Sequence, residues 1–154
     1  MNEQLLAPSH LETWLAYQRM RVRLADRINR ELSRETGVSE AEFEVLMALM
    51  EAPDEPMRAL ALRCGLEWEK SRLSHQLRRM EQRGLVRRDN CAEDNRGAVV
   101  VLTEEGRKLA AKARRVHDEA VRRYFIDVLS AEQVNALEDI ARTVLDRLPT
   151  TQAT

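Results

Sequence analysis

Between Gly84 and Thr103 the spacing of apolar residues changes, and that change constrains the fold more than any other feature. On either side, apolar positions recur every three or four residues, the repeat of amphipathic helices. In between, Leu85-Val86-Arg87-Arg88-Asp89 reads as a strand. Asn90 to Gly97 is a loop by composition, and Ala98-Val99-Val100-Val101-Leu102 is the β-branched return strand. Aromatic residues at 4% and only five glycines argue against an all-β chain. The expectation is one small ribbon set among helices.

The helix starts are marked locally. Ser9-His10-Leu11-Glu12, Ser39-Glu40-Ala41-Glu42 and Ser130-Ala131-Glu132-Gln133 have the S-x-x-E/Q form. There the Ser side chain caps one free backbone N–H and the acid or amide reaches back to another. These place helices at about 9–34, 39–51 and 130–148, with Gly37 closing the first and Pro149 stopping the last. Pro56 can open a short helix through Arg63, and Gly65 can supply a left-handed turn after it. A helix at about 68–83 follows, ended by Gly84. Thr103 can cap a long helix from about 104 to 128. The fold class expected is mainly α: a winged helix-turn-helix with a two-stranded β wing, flanked by long N- and C-terminal helices.

The helix from Trp68 to Met80 carries the functional signal. Leu73, Leu77 and Met80 fall within roughly 40° of one another on a helical wheel and hold it to a core. The opposite face collects Ser71, His75, Arg78 and Gln82, flanked by Arg72, Ser74 and Arg79. Donors and small hydroxyls suit the fixed negative charge and base edges of a DNA major groove. An ordinary solvated face has the same composition, so the neighbours decide. Cys64-Gly65-Leu66-Glu67 has the length and glycine of a helix-turn-helix joint. On that reading Ser71, Ser74, His75 and Arg78 face bases, and Lys70, Arg72 and Arg79 clamp phosphates.

Charge agrees in its distribution only. The chain as a whole carries −1. From Ser39 to Leu66 six acids face two bases, whereas from Trp68 to Arg96 eight bases face five acids. A basic patch on a neutral protein is compatible with nucleic acid.

Leu66 to Gln76, Arg79-Met80-Glu81 and Arg83 to Arg88 together resemble the MarR family of bacterial transcriptional regulators. So do Asp94-Asn95-Arg96-Gly97 and Leu102-Thr103-Glu104-Glu105-Gly106-Arg107. The resemblance implies a homodimeric regulator, a repressor rather than an activator, on a pseudo-palindromic operator in double-stranded DNA. It also implies a wing in which Asp94 orients a basic side chain and Arg96 enters the minor groove, where the negative potential is enhanced. The domains expected are 1–36 and 104–149 for dimerisation, 37–103 for DNA, and a tail at 150–154. By the same resemblance a small aromatic or phenolic effector would sit between the winged domain and the dimer helices, near Trp14, Tyr17 and Arg21.

Dimerisation has support from the residues themselves. Val134, Leu137, Ala141, Val144 and Leu148 repeat at three and four, with Ile140 and Leu145 widening the stripe. Val116, Ala120, Tyr124 and Val128 repeat likewise, and the first helix offers Leu11, Trp14, Leu15, Val22 and Ile28. That is more apolar helix than a small winged domain can cover, with intrachain packing the competing explanation.

Other functions fit less well. His10, His75 and His117 are scattered, so neither a metal nor another cofactor is expected. There is no nucleophile–base spacing and no Gly-rich phosphate loop, which argues against an enzyme. Cys64 reads as a small packed residue, and Cys91, in the wing loop, leaves a thiol-redox regulator as an alternative. A winged helix used only for protein–protein contact is a second alternative. No apolar run is long enough to cross a membrane, and no secretory signal opens the chain, so the cytoplasm is the expected compartment.

Overall fold

The computed structural model describes residues 5–51, 55–90 and 98–149, apart from the side chain of Asn90. Six α-helices and three short strands follow in the order α1 (Pro8–Thr36), α2 (Glu40–Met50), β1 (Met57–Arg58), α3 (Ala59–Leu66), α4 (Lys70–Gln82), β2 (Val86–Asn90), β3 (Ala98–Leu102), α5 (Glu104–Tyr124) and α6 (Ala131–Leu145). A single 3-10 turn, Ile126–Val128, separates α5 from α6. Among the described residues no helix is long and apolar enough to cross a membrane.

Two of the three expected capping boxes form. Ser39 and Glu42 close one at the start of α2, and Ser130 and Gln133 another at the start of α6. Ser9 does not cap α1. Pro8 occupies the first turn instead, where its missing N–H costs nothing, and the Thr13 hydroxyl donates to the Ser9 carbonyl at 3.0 Å from inside the helix.

The wing gains a strand. Met57 and Arg58, expected in a helix opened by Pro56, instead pair antiparallel with Val100 and Val99. The sheet order is β1-β3-β2, and Val86 lies opposite Leu102 while Arg88 lies opposite Val100. Val86, Val100 and Leu102 are buried, so alternate residues of the ribbon seat it on the helices.

The core lies between α2, α3, α4, the sheet and the first half of α5. Leu46, Leu62, Leu77 and Met80 are almost fully enclosed there. Truncating one of these leucines to Ala costs about 2–5 kcal/mol, since the removed methyl groups leave a cavity. Ala110, Ala113 and Ala120 let α5 lie close to its neighbours, and Leu32 joins α1 to the same core. Helix α5 stops at Tyr124, short of the expected 128, and Val128 is exposed.

The Leu-Thr-Glu-Glu-Gly segment is a structural joint. The Thr103 hydroxyl accepts the Gly106 N–H at 3.0 Å and donates to the Gly84 carbonyl at 2.5 Å. The Thr103 N–H reaches the Leu85 carbonyl at 3.1 Å. Gly84 has φ +72°, and the Leu85 N–H returns to the Met80 carbonyl at 3.0 Å to close α4. Gly106 passes so near that a Cβ there would sit 2.0 Å from the Leu85 oxygen. End of α4, root of the wing and start of α5 therefore meet at one point.

Candidate nucleic-acid interface

The tight turn before α4 is made by Glu67, not by Gly65. Glu67 takes φ 55°, ψ 35°, while Gly65 remains helical. The Trp68 N–H bonds back to the Arg63 carbonyl at 3.1 Å, and the indole is buried at 4% exposure. The turn falls where it must for that large ring to be enclosed.

Helix α4 buries Leu73, Leu77 and Met80, and also Gln76. Ser71, His75, Arg78 and Gln82 are exposed on the other side, with Lys70, Arg72 and Arg79 around them, while Ser74 is half-buried. Among the described residues the side chains of Lys70 and Arg78 make no hydrogen bond or ion pair. Arg79 donates to the Gln76 side-chain oxygen at 2.6 Å. Arg72 lies over the Trp68 ring, its guanidinium carbon 3.8 Å from the centroid.

Two ion pairs fix the far end of α4. Glu81 takes the Arg88 guanidinium of β2 at 2.9 Å. Arg83 pairs with Glu42, whose side chain is only 8% exposed, while the other Glu42 oxygen accepts the Ser39 N–H at 3.2 Å. One carboxylate thus completes the α2 cap and anchors the end of α4. Asp94, Arg96 and Cys91 lie outside the described residues. Cys64, expected to be packed, is exposed; its place on the outer side of the short α3 leaves it nothing to pack against.

The comparisons with known proteins decide the family. The profile described as MarR family matches residues 38–97. The transcriptional regulator HosA of Escherichia coli O157:H7 is 37% identical over 99 residues, 58% of this chain and 73% of HosA. The chain belongs to the MarR family. Two solved structures agree over nearly the whole length. AbsC, a MarR family transcriptional regulator from Streptomyces coelicolor, is 32% identical with a TM-score of 0.85, covering 93% of this chain and 96% of AbsC. Sco3205, a MarR family regulator of the same organism solved in complex with DNA, is 32% identical with a TM-score of 0.86, covering 96% of each chain.

In this MarR-family transcriptional regulator, two cavities among the described residues lie away from α4. The first, about 360 Å³, lies between α1, α5, the start of α2 and the middle of α6, and Tyr17, Arg21, Asn29, Glu40, His117 and Phe125 are among its lining residues. Tyr17 and Arg21 are on its wall. Trp14 is not: it stands half exposed one turn earlier, 5.7 Å from the Tyr17 ring, because α1 runs past the end of the cavity there. His117 stacks on Phe43 with centroids 4.4 Å apart and approaches Asp118 at 3.4 Å. Burial pushes the Asp118 carboxyl up, but hydrogen bonds from Arg114 and His117 outweigh it and hold the group below the usual carboxylate range.

The second cavity, about 340 Å³, is lined by Met20, Arg23, Leu24, Arg27, Tyr124 and Phe125 among others. The Tyr124 hydroxyl accepts from Arg27 at 2.9 Å and donates to Glu31 at 2.6 Å. The hydrogen bond with Tyr124 raises the Arg27 guanidinium further above its usual range. Nothing local in the sequence joins Tyr124 to Glu31, which are 93 residues apart.

Proposed function

We propose that this regulator binds a pseudo-palindromic operator in double-stranded DNA as a homodimer, with α4 in the major groove, and acts as a repressor released by a small-molecule effector. The observation that carries the reading is the outer face of α4, where Ser71, His75 and Arg78 are exposed around a buried Leu73–Leu77–Met80 seam. Arg78 has no acid partner among the described residues, so its fork is free for two acceptors on one base edge. Lys70, Arg72 and Arg79 at the margins serve phosphates, and Arg96, oriented with the help of Asp94, serves the minor groove. That the similar Sco3205 was solved in complex with DNA supports DNA as the partner.

The dimer reading rests on uncovered apolar helix. None of α6 is buried, Leu145 is 66% exposed, and Trp14 on α1 is 50% exposed. A second copy covers both stripes and sets two α4 helices about one DNA turn apart, roughly 10 bp. Residues 1–36 and 104–149 would then dimerise and 37–103 bind DNA, in the cytoplasm. The effector, an aromatic or phenolic anion, would enter the cavity beside Tyr17 and Arg21 and act by favouring a dimer with misplaced α4 helices.

The test is selection from a random duplex pool, followed by affinity against salt. An enriched palindrome with half-sites one turn apart and a steep salt slope supports the reading. No enrichment and no salt-dependent binding would replace it with a winged helix that meets protein.

A further inference from the structure

The cations around α4 are held in different ways. Arg79 is held by Gln76, Arg83 by Glu42 and Arg88 by Glu81. Each of those partners uses up guanidinium donors, and the two carboxylates also cancel charge. Arg72, unlike these and unlike the unpartnered Lys70 and Arg78, is held by a ring. It makes no hydrogen bond or ion pair among the described residues, yet it is not loose, because its guanidinium lies 3.8 Å from the centre of the Trp68 ring. Trp68 is itself fixed, since it is buried just before α4, and Arg72 in the first turn of the helix lies over it.

An aromatic face orients a guanidinium without taking any of its donors. All five N–H groups and the full charge stay available at the exposed margin of the helix. We propose that Trp68 is a positioning residue for DNA binding: its indole presets the Arg72 guanidinium for a backbone phosphate at the edge of the groove. This rests on the reading that α4 faces DNA. Ordering a rotamer-rich side chain before rather than during binding is worth roughly 2- to 10-fold in affinity.

The experiment is a double-mutant cycle on the selected operator, with each affinity followed against potassium chloride concentration. Arg72→Gln removes one phosphate contact per half-site, so the slope of log affinity against log salt falls by about 1.8 for the dimer. Trp68→Leu keeps an apolar side chain but no π face. It lowers affinity roughly 2- to 10-fold and leaves the slope unchanged. In the Arg72→Gln background it lowers affinity no further. Trp68→Phe, which keeps a ring, recovers most of the loss, and it replaces Trp68→Leu in the cycle if that variant does not fold. An equal loss from the Trp68 change in both backgrounds makes the tryptophan a core residue only and overturns the proposal. So does an unchanged slope for Arg72→Gln. Wild-type protein without salt-dependent binding removes the DNA reading and this proposal together, whereas a steep wild-type slope with a flat cycle removes this proposal alone.

Discussion

Gly106→Ala tests the joint between α4, the wing and α5. The new Cβ would stand 2.0 Å from the Leu85 carbonyl oxygen and 2.9 Å from its carbon, both backbone atoms that cannot rotate away. Relief requires α5 and the root of β2 to part by more than about 1 Å, an overpacking cost near the upper end of about 1–3 kcal/mol. The same movement weakens the Thr103 N–H bond to that carbonyl, about 1 kcal/mol more. Alanine's better helix propensity returns about 1 kcal/mol. The net loss is about 3 kcal/mol, or roughly 6–12 °C in Tm for a chain of this size. The assay is thermal melting by circular dichroism at matched protein concentration, since association shifts Tm. Gly65→Ala is the control, because Gly65 is helical and a Cβ there would meet nothing within 4 Å. It should be neutral or stabilising by up to about 1 kcal/mol. Equal effects from the two substitutions, or a neutral Gly106→Ala, would refute the close-approach reasoning.

Glu67→Gly should stabilise by about 0.5–1 kcal/mol by relieving a left-handed residue, and Glu67→Val should destabilise; a lower melting temperature for the glycine variant contradicts this. Arg83→Met should cost about 1–3 kcal/mol in chemical denaturation, because it leaves the buried Glu42 carboxylate with only the Ser39 N–H. Glu42→Gln should cost less than Arg83→Met, and the reverse order would count against the pairing. On the proposed dimer, Leu145→Glu should leave the helical content of the winged domain unchanged but shift the protein towards monomer in light scattering; an unchanged mass would count against α6 as a dimer seam.

Much of the fold is legible in the sequence because its signals are local. The capping boxes at Ser39 and Ser130 span four residues, and the buried seam of α4 follows from helical spacing alone. The same S-x-x-E pattern misleads at Ser9, where the neighbouring Pro8 opens the helix earlier. Strand β1 has two residues, too few for any periodicity, and exists only through its pairing with Val99 and Val100. Gly65 draws the expected turn to itself, but enclosure of Trp68 places the left-handed residue at Glu67. The exposed face of α4 is readable from the wheel, whereas the partners of its cations are not. Arg83 and Glu42 are 41 residues apart, and no pattern within one helix links them. The Trp68–Arg72 contact is not readable from helical spacing, because Trp68 lies ahead of α4 and meets Arg72 only through the turn at Glu67.

The double use of Glu42 implies an order of events during folding. Its bond with Ser39 closes over three residues, whereas its pair with Arg83 must wait for a loop of 41 residues to close. Loop closure comes at an entropic cost that the local bond does not bear. Helix α2 can therefore finish its own start while α4 is still unattached. Arg83 would then arrive at a carboxylate already held in place. Disturbing the Ser39–Glu42 cap should act mainly on the folding rate, and removing Arg83 mainly on the unfolding rate. One side chain would thus mark both an early and a late step in assembling the interface.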